Sequence, residues 1–157
     1  MVEERDAEFM RRALALAVVA EQRDEVPVGA VVVHEGRVVG EGWNQPISSR
    51  DPTAHAEIVA LRQAAAALGA YRIPGTTVYV TLEPCAMCVG AMIHARVRRV
   101  VFGAHDSKTG ACGGAFDLAA GPTHNHRLEI VGGVLAEECG GMLRTFFRAR
   151  RRRSDGL

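Results

Sequence analysis

His55, Cys85 and Cys88 are the side chains of this 157-residue chain best suited to hold a metal ion, and Glu57 is a carboxylate beside them with another task. One imidazole and two thiols form a donor set that suits zinc. Structural zinc sites usually close with four protein ligands, whereas catalytic sites keep one position for water. Three strong donors in two short segments, Thr53-Ala54-His55-Ala56-Glu57 and Glu83-Pro84-Cys85-Ala86-Met87-Cys88, point to the open kind. Zinc lowers the pKa of bound water towards about 7, and Glu57 is placed to take that proton and pass it on. The alternative is a closed structural site whose fourth ligand is Cys112, Cys139, His124 or His126.

Both segments are expected at helix N-termini. There the unpaired backbone N–H groups and the helix dipole favour negative charge, which suits thiolate ligands. Asp51 is a candidate N-cap with Pro52 at the first helical position, opening a helix through His55, Glu57 and Leu61 to Leu68 that stops at Gly69. Pro84 is expected to open a second helix through Cys85, Cys88 and Met92 to about Ala95. The i, i+3 spacing puts Cys85 and Cys88 on one face. Glu57, two residues from His55, does not share its helical face and must reach the site across the open end of the helix.

The remaining pattern supplies a frame for these helices. Asp6–Gln22 carries Phe9, Leu14, Leu16, Val18 and Val19 among charges and predicts an amphipathic helix. Residues 28–33 and 37–41 predict two strands joined at Glu35-Gly36. Thr76–Leu82 predicts a buried strand, residues 98–102 another strand, residues 128–131 a short fifth strand, and residues 134–153 a basic C-terminal helix. Residues 103–125 form a long glycine-containing loop, of the sort that is usually functional. Helices alternating with strands imply parallel pairing and a layered α/β fold. One domain over residues 1–157 is expected from the length. No apolar run reaches membrane-spanning length and the acidic start lacks a signal-peptide pattern, so the expected location is cytoplasmic. A net charge of +1 excludes a polycation, yet residues 144–153 are strongly basic and suit an anionic partner.

His-x-Glu followed by Pro-Cys-x-x-Cys is the zinc-deaminase signature. Over about residues 5–150 the chain resembles the bacterial tRNA-specific adenosine deaminases. The resemblance also rests on Glu25-Val26-Pro27-Val28-Gly29-Ala30-Val31, Gly42-Trp43-Asn44, Asp51-Pro52-Thr53-Ala54, Thr81-Leu82-Glu83, Gly90-Ala91-Met92-Ile93-His94 and Lys108-Thr109-Gly110. It implies a cytidine-deaminase-like three-layer α/β/α sandwich with a central five-stranded mixed sheet, a homodimer and one zinc ion per subunit. The implied reaction converts the wobble adenosine of a tRNA anticodon stem-loop to inosine and releases ammonia. Carried over, His55, Cys85 and Cys88 are the metal ligands and Glu57 the proton shuttle. Asn44 hydrogen-bonds the flipped nucleotide, the loop of residues 103–108 lies beside the anticodon, and Asp106, Lys108 and Arg148 meet RNA. His105 stands where that family leads one to expect arginine.

Other readings of the same residues stay open at this stage. A deaminase of a free base or nucleotide, of guanine or cytosine type, would carry the same zinc motifs. A zinc-stabilised RNA-binding module would carry them without catalysis. Asn44 could serve its own turn, and Asp106 could cap its own loop instead of rewarding a ribose 2′-OH. Phe146 and Phe147 are expected to anchor the last helix to the core, and Cys112 and Cys139 to be unliganded thiols.

Overall fold

The computed structural model describes residues 1–155. α1 (Asp6–Gln22) buries Phe9 and, at steps of three to four along the same face, Met10, Ala13, Ala17 and Ala20. Alanines, not the expected Leu14, Leu16, Val18 and Val19, make most of that face, because the helix lies close against Gly29 of the first strand. β1 (Gly29–His34) and β2 (Arg37–Trp43) form the expected hairpin. Its turn residues Glu35 and Gly36 both take positive φ, 52° and 75°, the primed turn that matches strand twist.

α2 (Ala56–Leu68) starts four residues later than the sequence suggested. The Asp51 carboxylate accepts the Thr53 N–H at 2.9 Å and the Thr53 hydroxyl at 2.7 Å, so it closes a separate turn and does not cap the helix. His55 is itself the N-cap, extended at φ −71° and ψ 154°. Gly69 ends the helix in the left-handed conformation, as expected. β3 (Thr76–Leu82) leads into α3 (Ala86–Ala95), with Cys85 as N-cap outside the helix rather than in it. β4 (Arg99–Ala104), a three-residue β5 (Glu129–Val131) and α4 (Ala136–Asp155) complete the order.

The sheet runs β2-β1-β3-β4-β5. β3, β4 and β5 are parallel, whereas β1 is antiparallel to both β2 and β3. The alternation thus predicted the parallel pair that α3 connects, and the turn at Glu35-Gly36 the antiparallel hairpin, whereas the antiparallel pairing of β1 with β3 was not foreseen. α1 and α2 lie on opposite faces. A Cβ on Gly29 would strike Ala13 of α1, while one on Gly42, the partner of Ala30, would strike Ala56 of α2. α4 shares α1's face: Gly103 of β4 abuts Cys139, and Tyr79, paired with Val101, reaches Asp6. The result is an α/β/α sandwich with a five-stranded mixed sheet in the middle.

A buried ion pair fastens α1 to that sheet. The Arg99 guanidinium donates to both Asp6 oxygens at 2.7 Å, and the Tyr79 hydroxyl donates to the same carboxylate at 2.8 Å. Among the described residues, no helix is long and apolar enough to cross a membrane.

Candidate active site

Two helix N-termini and the exit of β3 meet at one point. His55 Nδ1 lies 3.6 Å from Cys85 Sγ and 3.6 Å from Cys88 Sγ. The three ligand atoms all fall within 4.8 Å of one another. Tetrahedral zinc at about 2.0 Å from nitrogen and 2.3 Å from sulfur separates those two atoms by roughly 3.5 Å. The donor types and their spacing therefore fit zinc. Cys85 and Cys88 occupy the N-cap and third position of α3, the end at which the helix has backbone N–H groups without intrahelical partners. His55 comes from the corresponding place at α2.

The electrostatics suit a cation. Contact with Cys88, and then with His55, draws the Cys85 thiol down to about 4 despite its burial. Contact with that thiolate, and burial, push Cys88 up. The His55 imidazole is raised chiefly by its bond to Cys85. A bound cation would release the remaining thiol proton, since ligands must be deprotonated.

Glu57 is the second residue of α2 and only 4% exposed. Burial pushes its carboxyl up, against its own backbone N–H and the nearby imidazole. It stands outside the three-donor cluster. Because His55 is extended and not helical, the two side chains converge by a bend at the helix start rather than across a shared face. Cys112, Cys139, His124 and His126 do not join the cluster. His124 and His126 instead bond the Leu118 and Val97 carbonyls at 2.7 and 2.6 Å, and both cysteines are free. Among the described residues nothing supplies a fourth protein ligand.

A cavity of about 190 Å3 opens over the cluster, walled by Val26, Val28 and Leu82 and edged by Asn44, His55, Glu57, Glu83, Cys85, Asp106 and Thr109. It continues into a groove of about 640 Å3. Val26, Leu82, Asp106 and Thr109 line both. Lys108, Arg144, Arg148 and Arg151 line the groove with Phe147. Phe146 is buried as expected, but Phe147 is 44% exposed and faces the groove instead of anchoring α4. Helical spacing puts adjacent residues 146 and 147 in different directions, so only one could be a core residue. Asp106 has both oxygens engaged, with the Lys108 N–H at 2.9 Å, the Thr109 N–H at 3.1 Å and the Thr109 hydroxyl at 2.8 Å. It lines the cavity and caps its loop.

Two buried glutamates, which enter the sequence reading only within motifs, receive no task from it. Glu25 accepts the Ile47 and Ser48 N–H groups at 3.3 and 2.7 Å and so holds the 45–51 loop. Glu83 does the same for residues 105–114. For Glu83 the signal was available, a lone acid in an apolar segment, since a carboxylate is buried only where donors meet it; Glu25, beside Arg23 and Asp24, carried no such mark.

Residues 3–104 match the family model described as cytidine and deoxycytidylate deaminase zinc-binding region. The tRNA-specific adenosine deaminase of Haemophilus influenzae is 54% identical over 147 residues, which are 93% of this chain and 85% of that protein. This chain belongs to the tRNA-specific adenosine deaminase family. The family's Bacillus subtilis member is 45% identical, over 94% of this chain and 92% of its own length. A structure solved in a study of A-to-I editing by tRNA:A34 deaminases at the wobble position of transfer RNA superposes with a TM-score of 0.84. It is 44% identical and covers 87% of this chain and 99% of that one. The cofactor of such a region is zinc, and the cluster of His55, Cys85 and Cys88 is the site in this fold that could hold it.

Proposed function

We propose that this enzyme hydrolytically deaminates the wobble adenosine of a tRNA anticodon to inosine, with one zinc ion held by His55, Cys85 and Cys88. The observation that carries this reading is the three-donor cluster beside a buried Glu57, at the floor of a small cavity that opens onto a basic groove. Zinc supplies Lewis acidity and lowers the pKa of the water it binds. Glu57 takes one proton from the attacking water and hands it to the ring nitrogen next to the attacked carbon, then takes the proton of the added hydroxyl and delivers it to the departing amine as the carbonyl forms. Water and adenosine give inosine and ammonia, so no other reactant is needed. Burial suits Glu57 to this work, because a raised carboxyl holds a proton nearer neutral pH.

The apolar walls Val26, Val28 and Leu82 exclude water around the base, and Asn44 offers an amide at the cavity edge. A base reaches so small a cavity only when splayed from its strand. Lys108, Arg144, Arg148 and Arg151 meet the flanking phosphates, and Phe147 offers a stacking face among them. The reading includes a homodimer, supported by an apolar hollow of about 370 Å3 between α2 and α3, where Tyr71 is 73% exposed beside Ile58, Leu61 and Met87. Sedimentation at several concentrations tests that part. A tRNA substrate also agrees with the cytoplasmic location expected from the sequence.

The deciding experiment is deamination of a transcribed anticodon stem-loop with adenosine at the wobble position, read as inosine. The same adenosine in a paired stem, and free adenine, guanine and cytosine, are the comparisons. Activity confined to the stem-loop supports the reading. Activity on a free base alone overturns it.

A further inference from the structure

We propose that Glu83 is a positioning residue, a buried clamp that fixes the 105–114 loop over the catalytic cavity and so sets the rim that receives RNA. Glu83 directly precedes Pro84-Cys85, and its side chain is fully buried. One oxygen accepts the Asp106 N–H at 2.9 Å; the other accepts the Cys112 and Gly114 N–H groups at 3.0 and 2.8 Å. The His105 ring nitrogen lies 3.7 Å from the first oxygen. These donors are spread over nine residues that contain no helix and no strand beyond the single Cys112–Asp117 bridge. A buried carboxylate is tolerated only when such donors replace its water, and charge-assisted bonds of this type are strong.

The loop has closed tightly around that carboxylate. A Cβ on Gly110 would sit 2.5 Å from one Glu83 oxygen, and a Cβ on Gly114 would sit 2.4 Å from the other. Glycine is thus required twice by the same group. The clamped loop presents Asp106 and Thr109 to both cavities and Lys108 to the outer groove. Glu83 therefore ties the segment bearing a metal-site cysteine to the segment facing the RNA. Its oxygens are taken up by loop amides, so it acts through the loop and not on the reacting atoms.

Two measurements on the zinc-loaded Glu83→Gln protein test the clamp, and only the second rests on the proposed reaction. Gln keeps one acceptor oxygen and turns an NH2 group towards amide donors. Hydrogen exchange at the Asp106, Cys112 and Gly114 amides should quicken roughly 10- to 100-fold, the scale of one lost charge-assisted bond. KM for the anticodon stem-loop should rise roughly 10- to 100-fold while kcat and zinc content hold. Gly114→Ala, which leaves Glu83 in place but pushes the loop off it, should reproduce the KM rise. Unchanged exchange at the three amides overturns the clamp, whatever the substrate proves to be. So does a fall in kcat with KM constant, or loss of zinc, since either puts Glu83's effect on the Cys85 side. A wild-type protein inactive on the stem-loop overturns the substrate reading alone, and the exchange result then decides the clamp.

Discussion

Gly42→Ala should disable the enzyme while leaving it folded, because that glycine sets how closely α2 approaches the sheet. A Cβ at position 42 would meet the Ala56 carbonyl oxygen at 2.3 Å, the Ala60 nitrogen at 2.7 Å and the Val59 Cβ at 3.0 Å. Two of these are backbone atoms, which cannot rotate away. Ordinary contact begins at 3.4 Å, so the start of α2 must retreat by about 1 Å. Ala56 lies between His55 and Glu57, so the retreat carries a donor of the metal cluster and the proposed proton carrier together. A misplacement of about 1 Å costs on the order of 100-fold in rate, and the overpacking costs about 1–3 kcal/mol of stability. Gly40→Ala is the matched control. Its Cβ would strike the Ala60 oxygen, also at 2.3 Å, but one turn further from the site. Both variants should lose similar stability in urea unfolding, while kcat/KM on the stem-loop falls far more for Gly42→Ala. If Gly42→Ala keeps kcat/KM within about threefold of wild type, or if the two variants lose activity equally, the helix–sheet spacing does not place the site.

Glu57→Gln should bind zinc normally by metal analysis and lose roughly 100- to 10,000-fold in kcat, the range for a lost general acid–base group; near-normal turnover would remove Glu57 from the mechanism. Asp6→Asn should cost about 3 kcal/mol at pH 7, because it leaves Arg99 buried with weaker partners. Burial alone would raise the Asp6 carboxyl, but the Arg99 guanidinium, the Glu3 N–H and the Tyr79 hydroxyl hold it below its ordinary range. Its contribution is therefore present above an unfolded pKa of about 3.9 and fades as pH falls through the lower folded value. Denaturant midpoints should show a wild-type advantage that is constant from pH 7 to about 4 and shrinks below it; an advantage that grows with acid would reverse the sign. Arg148→Ala and Lys108→Ala should each lower the slope of log binding constant against log salt by roughly 0.7–0.9 for the stem-loop, and a slope that does not move would take those side chains off the phosphates.

The metal cluster was legible because its chemistry is carried by residue type and spacing. Few arrangements of His, Cys and Cys serve anything but a metal, and none of the three depends on a distant partner for its meaning. Helix starts were less legible. Asp51-Pro52 has the composition of a helix cap, yet Thr53 supplies a hydroxyl and an N–H that capture Asp51 first. Local competition of that kind leaves no mark in periodicity. The face of α1 was misread for a related reason: hydropathy favours Leu and Val, whereas a helix lying against Gly29 needs Ala. Asp106 was expected either to meet RNA or to cap its own loop; it lines the cavity and caps the loop, and which partners it takes, Lys108 and Thr109, depends on loop geometry that spacing does not encode. Glu25 and Glu83 were overlooked because their partners are backbone groups of other segments, and every residue except proline carries an N–H.

Those two glutamates divide the molecule into parts that can be inherited separately. The reacting centre hangs from the ends of helices and a strand, whereas the irregular segment at the entrance, 105–114, is moored by Glu83, and the 45–51 segment that follows Asn44 is moored by Glu25. Drift in the entrance can retune which nucleic acid is admitted without disturbing the chemistry, provided the moorings stay. Grafting residues 105–114 between relatives should follow the same rule. A transplanted segment will seat where Glu83 finds its three amides and the glycines that let it approach, and will hang loose where it does not.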